Sequence, residues 1–260
     1  LKLERKAMSA TTTLSSPDAI LFDAFGTLFD VRAVLAAAEQ MFPGHGERLS
    51  QLWRRKQIEY SQLRTLADPA GARYRPFRDI TLDALRFAAR RLGLALNSAA
   101  EKRLMDEYAC LSTYPDTVPA LRKLRALDPR PPLGILSNGT PQMLDIAIKS
   151  AGMSGLFDRV LSADTVRAYK PSPAAYALGT DAFGPNRRGI VFVSSNAWDV
   201  AGAVWFGYTT FWLNRTGAPA EELGAPPDGT GTGMADLLAF LATPAPSGRP
   251  ANRTRPGPGA

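Results

Sequence analysis

Residues 18–30 read Asp18-Ala19-Ile20-Leu21-Phe22-Asp23-Ala24-Phe25-Gly26-Thr27-Leu28-Phe29-Asp30. Ala19 to Phe22 is a short apolar run, the pattern of a strand buried on both faces of a parallel sheet. Asp23 stands at its carboxyl end, and Gly26 allows a tight turn. Ligands of open α/β sheets bind in the crevice beyond the carboxyl ends of the strands. A carboxylate at such a place is a natural nucleophile. Taken alone, Asp23 reads more readily as a turn or helix cap than as a nucleophile. The remainder of the chain favours the nucleophile.

Downstream of Pro115 the same apolar-run-then-polar pattern returns. Strands are expected at Pro132 to Leu136, Phe157 to Ser162, Gly189 to Val193 and Tyr208 to Leu213, the last of the chain. Helices are expected between them: Asp116 to Leu127, Pro141 to Ala151, Ala174 to Ala182 and Asp199 to Phe206. A short final helix is expected at Met234 to Leu241. Repeated β-α units on short loops predict a doubly wound, Rossmann-like parallel sheet with right-handed crossovers.

Residues 30–113 carry no strand signal. Helices are expected at Val31 to Met41, Glu47 to Leu66, Asp79 to Leu92 and Ser98 to Cys110. In the second, Leu49, Leu52, Trp53, Lys56 and Tyr60 share a face at helical spacing. Ser98 and Glu101 form a capping-box pattern for the fourth. This block separates the first strand from the next, so it reads as an inserted helical bundle cap. The expected organisation is an α/β core of residues 18–29 and 114–242, a cap of residues 30–113, and disordered tails over residues 1–17 and 243–260.

The composition excludes several classes. Hydrophobic residues make up 45% and charged residues 21% of 260 residues, ordinary for a globular protein. No apolar run approaches the ~20 residues of a membrane helix, so no membrane partner is expected. The single cysteine, Cys110, excludes an internal disulfide and a cysteine-based zinc cluster, and suits a cytoplasmic location. The single histidine, His45, sits in the loop signature Pro43-Gly44-His45-Gly46, which argues against a His-centred triad. The net charge is +7, but basic residues are scattered with no aromatic ladder between them, so no nucleic-acid partner is expected.

Four strand ends carry polar residues: Asp23, Ser137-Asn138, the loop at Lys170, and Ser194 to Asp199. A doubly wound sheet converges such ends on one crevice. In order, they resemble the four motifs of the haloacid dehalogenase (HAD) superfamily. Most of its members are magnesium-dependent phosphatases with a second Asp two residues after the nucleophile. Here that position is Phe25, which cannot shuttle a proton. Ser195 stands where a metal-binding Asp is expected, and Mg²⁺ wants hard anionic oxygen ligands. No metal and no cofactor is expected.

The strings Leu52-Trp53-Arg54, Ile135-Leu136-Ser137-Asn138-Gly139, Tyr169-Lys170-Pro171 and Ser194-Ser195-Asn196-Ala197-Trp198-Asp199 are similar to one family in particular, the (S)-2-haloacid dehalogenases. The resemblance covers about Asp18 to Gly217. It implies displacement of halide from a 2-haloalkanoic acid by Asp23, with inversion, through an aspartyl ester that water then hydrolyses. Departure of halide needs no proton, consistent with Phe25.

The resemblance also implies roles. Arg54, Asn138 and the aromatic wall Phe77 cradle the halide. Ser137 binds the substrate carboxylate, and Thr27 orients Asp23. Lys170 keeps Asp23 ionised. Asp199 is the base, or orients it, while Lys170, Ser194 and Asn196 hold water and oxyanion. Tyr176 is an active-site tyrosine. Phe25 and Trp198 shape a dry pocket, which strengthens its polar contacts. Family members are commonly homodimers. Phe25 and Arg55 depart from the tyrosine and glutamine expected at their positions. The rival readings are a magnesium-dependent phosphatase and a non-catalytic anion-binding protein.

Overall fold

A computed structural model describes residues 17–243. The expected tails, except for Pro17 and Thr243, lie outside the described residues. The order of elements is β1 (Ala19–Phe22), α1 (Ala33–Met41), α2 (Gly46–Ala67), α3 (Phe77–Arg91), α4 (Ser98–Ala109), α5 (Thr117–Arg125), β2 (Leu133–Ser137), α6 (Pro141–Ser150), β3 (Arg159–Ser162), α7 (Pro173–Phe183), β4 (Ile190–Ser194), α8 (Ala197–Phe206), β5 (Thr209–Leu213), β6 (Gly229–Gly231) and α9 (Met234–Ala242).

The six strands form one sheet in the order β3-β2-β1-β4-β5-β6, and every neighbouring pair is parallel. β1 is central, between β2 and β4. The chain winds outward first to one side of β1 and then to the other, so the strand order reverses there. That reversal opens the crevice at the carboxyl ends of β1, β2 and β4. All four side chains of β1 are fully buried, and they alternate between two cores. Ile20 and Phe22 face the larger core, which continues into α1–α4 through Leu49, Trp53 and Ile80. Ala19 and Leu21 face the smaller core with Tyr176, Phe192 and Tyr208. Truncating Leu21 to alanine would cost about 2–5 kcal/mol.

The four helices between β1 and α5 pack on one another as a bundle. Three details differ from the sequence expectation. The buried stripe of α2 is Gly46, Leu49, Trp53, Gln57 and Ser61, whereas Leu52, Lys56 and Tyr60 are only partly buried. The cap of α4 is Asn97, whose side chain accepts from Ala100 N–H, while Glu101 pairs with Arg86. Asn97 places its carbonyl one residue before the helix, where Ser98 was expected to serve. Tyr208 to Leu213 is not the last strand: β6 adds to the sheet edge by pairing with β5. Two glycines in three residues gave β6 no apolar run to read.

Candidate active site

The sheet's central crevice holds Asp23 immediately after β1. The turn beyond it is made by Gly26 at φ +95°, a left-handed conformation that glycine adopts without strain. Its N–H donates to Phe29 O at 2.8 Å. This fold-back brings Thr27 beneath the Asp23 carboxylate. Thr27 Oγ1 accepts the Ser195 N–H at 2.8 Å, which leaves its proton for Asp23 Oδ2 at 2.9 Å. Asn196 Nδ2 donates to the same oxygen at 2.9 Å. Asn196 occupies the N-cap position of α8 but its side chain makes no cap bond, being committed to the site instead.

Asp23 Oδ1 accepts from Lys170 Nζ at 2.8 Å. The same ammonium donates to Asp199 Oδ2 at 2.7 Å and to Leu136 O at 3.1 Å. Asp199 Oδ1 accepts the Tyr176 hydroxyl at 2.7 Å. Lys170, Asp199 and Tyr176 are all buried. Burial pulls the Lys170 pKa down, but the charges of Asp199 and Asp23 more than reverse this, and the net direction is upward. Burial pushes the Asp199 pKa up against the opposing ammonium. Burial holds the Tyr176 hydroxyl neutral well beyond the ordinary tyrosine range.

The adjacent pocket is lined by Asp23, Phe25, Arg54, Ile58, Ser61, Phe77, Ser137, Asn138, Lys170, Asn196 and Trp198, and encloses a narrow cavity of about 20 Å³. Its polar groups are oriented by their neighbours. Asn138 Oδ1 accepts Lys170 N–H at 2.9 Å, so its Nδ2 donors remain for a guest. Ser137 Oγ accepts Gly139 N–H at 3.1 Å and keeps its own proton. Arg54 reaches in from α2, with Nη2 donating to Phe25 O at 3.1 Å and to Asn196 Oδ1 at 3.2 Å.

The apolar side is aromatic. Phe25 stacks on Phe77 with centroids 6.3 Å apart and on Tyr108 at 5.4 Å. Gly139 lets the Phe25 ring lie against the backbone, since a Cβ there would meet Phe25 Cε2 at 2.6 Å.

Of the residues expected from sequence, nine line the pocket: Asp23, Phe25, Arg54, Phe77, Ser137, Asn138, Lys170, Asn196 and Trp198. Thr27, Asp199 and Tyr176 lie behind them, the last two reaching Asp23 through Lys170. Ser194 is set apart, its hydroxyl accepting Asn196 N–H at 3.1 Å and so fixing that loop. Sequence reasoning missed Ile58 and Ser61, although they follow Arg54 at helical spacing on the same face of α2. It also missed Gln57 and Tyr108, which hold Arg54 from behind.

A family model for haloacid dehalogenase-like hydrolases matches residues 17–207. The chain belongs to that family. Among curated HAD relatives, it is 43% identical over 226 residues to an (S)-2-haloacid dehalogenase of Pseudomonas sp. (strain YL), covering 87% of this chain and 95% of that one. Among solved HAD structures, the crystal structure of an L-2-haloacid dehalogenase matches with 59% identity and a TM-score of 0.85, covering 88% of this chain and 100% of the other. An L-2-haloacid dehalogenase from Xanthobacter autotrophicus, solved with chloropropionic acid covalently bound, matches with 35% identity and a TM-score of 0.77 over 86% of this chain and 98% of its own.

Proposed function

We propose that this HAD hydrolase converts (S)-2-haloacids to (R)-2-hydroxyacids through an ester on Asp23. The observation that carries the reading is the Asp23 carboxylate itself. It is held by Lys170, Thr27 and Asn196, faces a small pocket, and has a phenyl ring two residues on where a phosphatase needs an acid. The relatives' activity supports the same reading.

In the first half-reaction an Asp23 oxygen attacks C2 from behind. A C–O bond forms, the C–X bond breaks, and halide leaves with the electron pair. The nucleophile is a carboxylate rather than a hydroxyl, so its attack needs no base to remove a proton. Arg54 and Asn138 offer donors to the leaving anion, and Phe77 closes the apolar side. Ser137 offers its free proton to the substrate carboxylate. In the second half-reaction water adds to Asp23 Cγ, and the bond from Cγ to the product oxygen breaks. The hydroxyacid leaves, a proton is released, and Asp23 is restored. Asp199, with Tyr176 behind it, acts through Lys170 on this step.

The residues do not fit a divalent ion. The Lys170 ammonium bridges Asp23 and Asp199 at 2.8 and 2.7 Å, so a cation already stands between the two carboxylates that the described residues bring to the site.

The reading keeps residues 30–113 as a cap that brings Arg54 and Phe77 to a core of residues 18–29 and 114–242. It also keeps the expectation of a cytoplasmic homodimer, which sedimentation and fractionation check. To test the activity, chloride release from (S)-2-chloropropionate is followed in EDTA. Undiminished release that disappears in Asp23→Asn supports the reading. Release that needs added Mg²⁺, or phosphate release from an aryl phosphate instead, refutes it.

A further inference from the structure

Resting on that reading, we infer that Gln57 is a positioning residue for Arg54, held in register by Thr81 and Tyr108. Gln57 lies one turn along α2 from Arg54 and is fully buried, unusual for an uncharged amide without a structural duty. Its Oε1 accepts Arg54 Nη1 at 2.7 Å and the Tyr108 hydroxyl at 3.2 Å. Its Nε2 donates to Thr81 Oγ1 at 2.6 Å.

The direction of this chain is set by its far end. Thr81 spends its proton on Phe77 O, four residues back in α3, at 2.7 Å. Its oxygen is then an acceptor toward Gln57, so the amide must present NH₂ to Thr81 and C=O to Arg54. A flipped amide would turn donors against the guanidinium. Tyr108 cannot replace the carbonyl by ionising, because burial raises its pKa.

The consequence falls on Arg54. Its Nη2 is occupied by Phe25 O and Asn196 Oδ1, and its Nη1 by Gln57. Its Nε has no partner among the described residues, and the second Nη1 contact, to the Tyr108 hydroxyl, is long at 3.5 Å. Gln57 thus fixes one edge of a planar fork and leaves defined N–H groups for the departing halide. Because Thr81 also binds the Phe77 carbonyl, one chain ties the cationic and aromatic parts of the halide cradle.

The experiment measures kcat/KM for (S)-2-chloro- and (S)-2-bromopropionate in wild type, Gln57→Leu and Thr81→Val. This parameter covers halide displacement and excludes later ester hydrolysis. Chloride is the poorer leaving group and leans harder on Arg54. Misplacing a catalytic group by about 1 Å costs up to ~10²-fold. We expect Gln57→Leu to lose ~10- to 100-fold with chloride and several-fold less with bromide, and Thr81→Val to shift the same ratio more mildly. If Gln57→Leu does not fold, Thr81→Val decides. Equal losses with both halides, or no loss, overturn the inference while leaving the dehalogenase reading intact. A wild-type protein that releases neither halide overturns both.

Discussion

Lys170 Nζ lies 2.7 Å from Asp199 Oδ2, and neither side chain is exposed to solvent. The same ammonium holds Asp23 Oδ1. One buried cation therefore serves two buried carboxylates, and the group is one charge negative before Arg54 is counted.

That imbalance makes Lys170 the most sensitive position of the site. Removing one partner of a buried ion pair leaves an uncompensated charge and costs about 3–5 kcal/mol. Lys170→Met is expected to lose that much stability in urea denaturation, and at least ~10²-fold in kcat/KM from lost electrostatic preorganisation. Unchanged stability would mean that the two carboxylates find other compensation.

The pH dependence follows from the same triad. The Lys170 pKa is raised, so its contribution to stability is complete below the unfolded lysine range and is lost as pH rises through the folded value. The alkaline fall in stability should therefore lie beyond the ordinary lysine range of about 10.4. Asp199 is also raised, chiefly by burial. It binds its proton more readily folded than unfolded, so ionising it costs stability as pH climbs through the carboxylate range. Its ionised form is the one that pairs with Lys170. The acid limb of kcat is expected above the ordinary carboxylate range of about 4, and should vanish in Asp199→Asn against a reduced rate. A limb at the ordinary position in wild type contradicts this.

Tyr176 gives an independent check of the sign. Its hydroxyl hydrogen bond favours the ionised form of Asp199. In Tyr176→Phe the acid limb should move to higher pH, with a stability loss of about 1–3 kcal/mol for the unsatisfied carboxylate oxygen. A limb moving to lower pH is the contrary result.

At the aromatic wall, Gly139→Ala tests packing. The new methyl meets the Phe25 ring at 2.6 Å and Leu144 Cδ2 at 3.4 Å. Overpacking of this kind costs about 1–3 kcal/mol. Phe25 would be displaced toward the pocket, so kcat/KM is expected to fall together with the melting temperature. A fall in melting temperature alone would place Phe25 outside the substrate's reach.

The sequence made β1, β2 and β4 readable because strands buried on both faces are continuous apolar runs with polar residues at their ends. Asp23, Asn138 and Asn196 followed from those ends and from a family resemblance. β6 was not readable, since its pairing depends on the β5 edge and not on its own Gly-Thr-Gly. In the buried stripe of α2, Leu49 and Trp53 are legible as apolar residues at helical spacing, but Gln57 and Ser61 are not. Gln57 and Ser61 look like surface residues by type; Thr81 and Tyr108, supplied by α3 and α4, satisfy the buried Gln57 amide, while the Ser61 hydroxyl donates to Ile58 O within α2 itself. Likewise, nothing local separates Asp23, which lines the pocket, from Asp199, which sits behind Lys170. That distinction is made by the backbone of β4 and α8.

The most direct measurement is a single turnover with enzyme in excess over (S)-2-chloropropionate, in water labelled with heavy oxygen, followed by mass spectrometry of the peptide bearing Asp23. Attack of water on the ester carbonyl predicts heavy oxygen in the Asp23 carboxylate and none in the first-formed hydroxyacid. Heavy oxygen in the hydroxyacid with an unlabelled Asp23 would mean that water displaces halide directly, and the covalent role of Asp23 would fall.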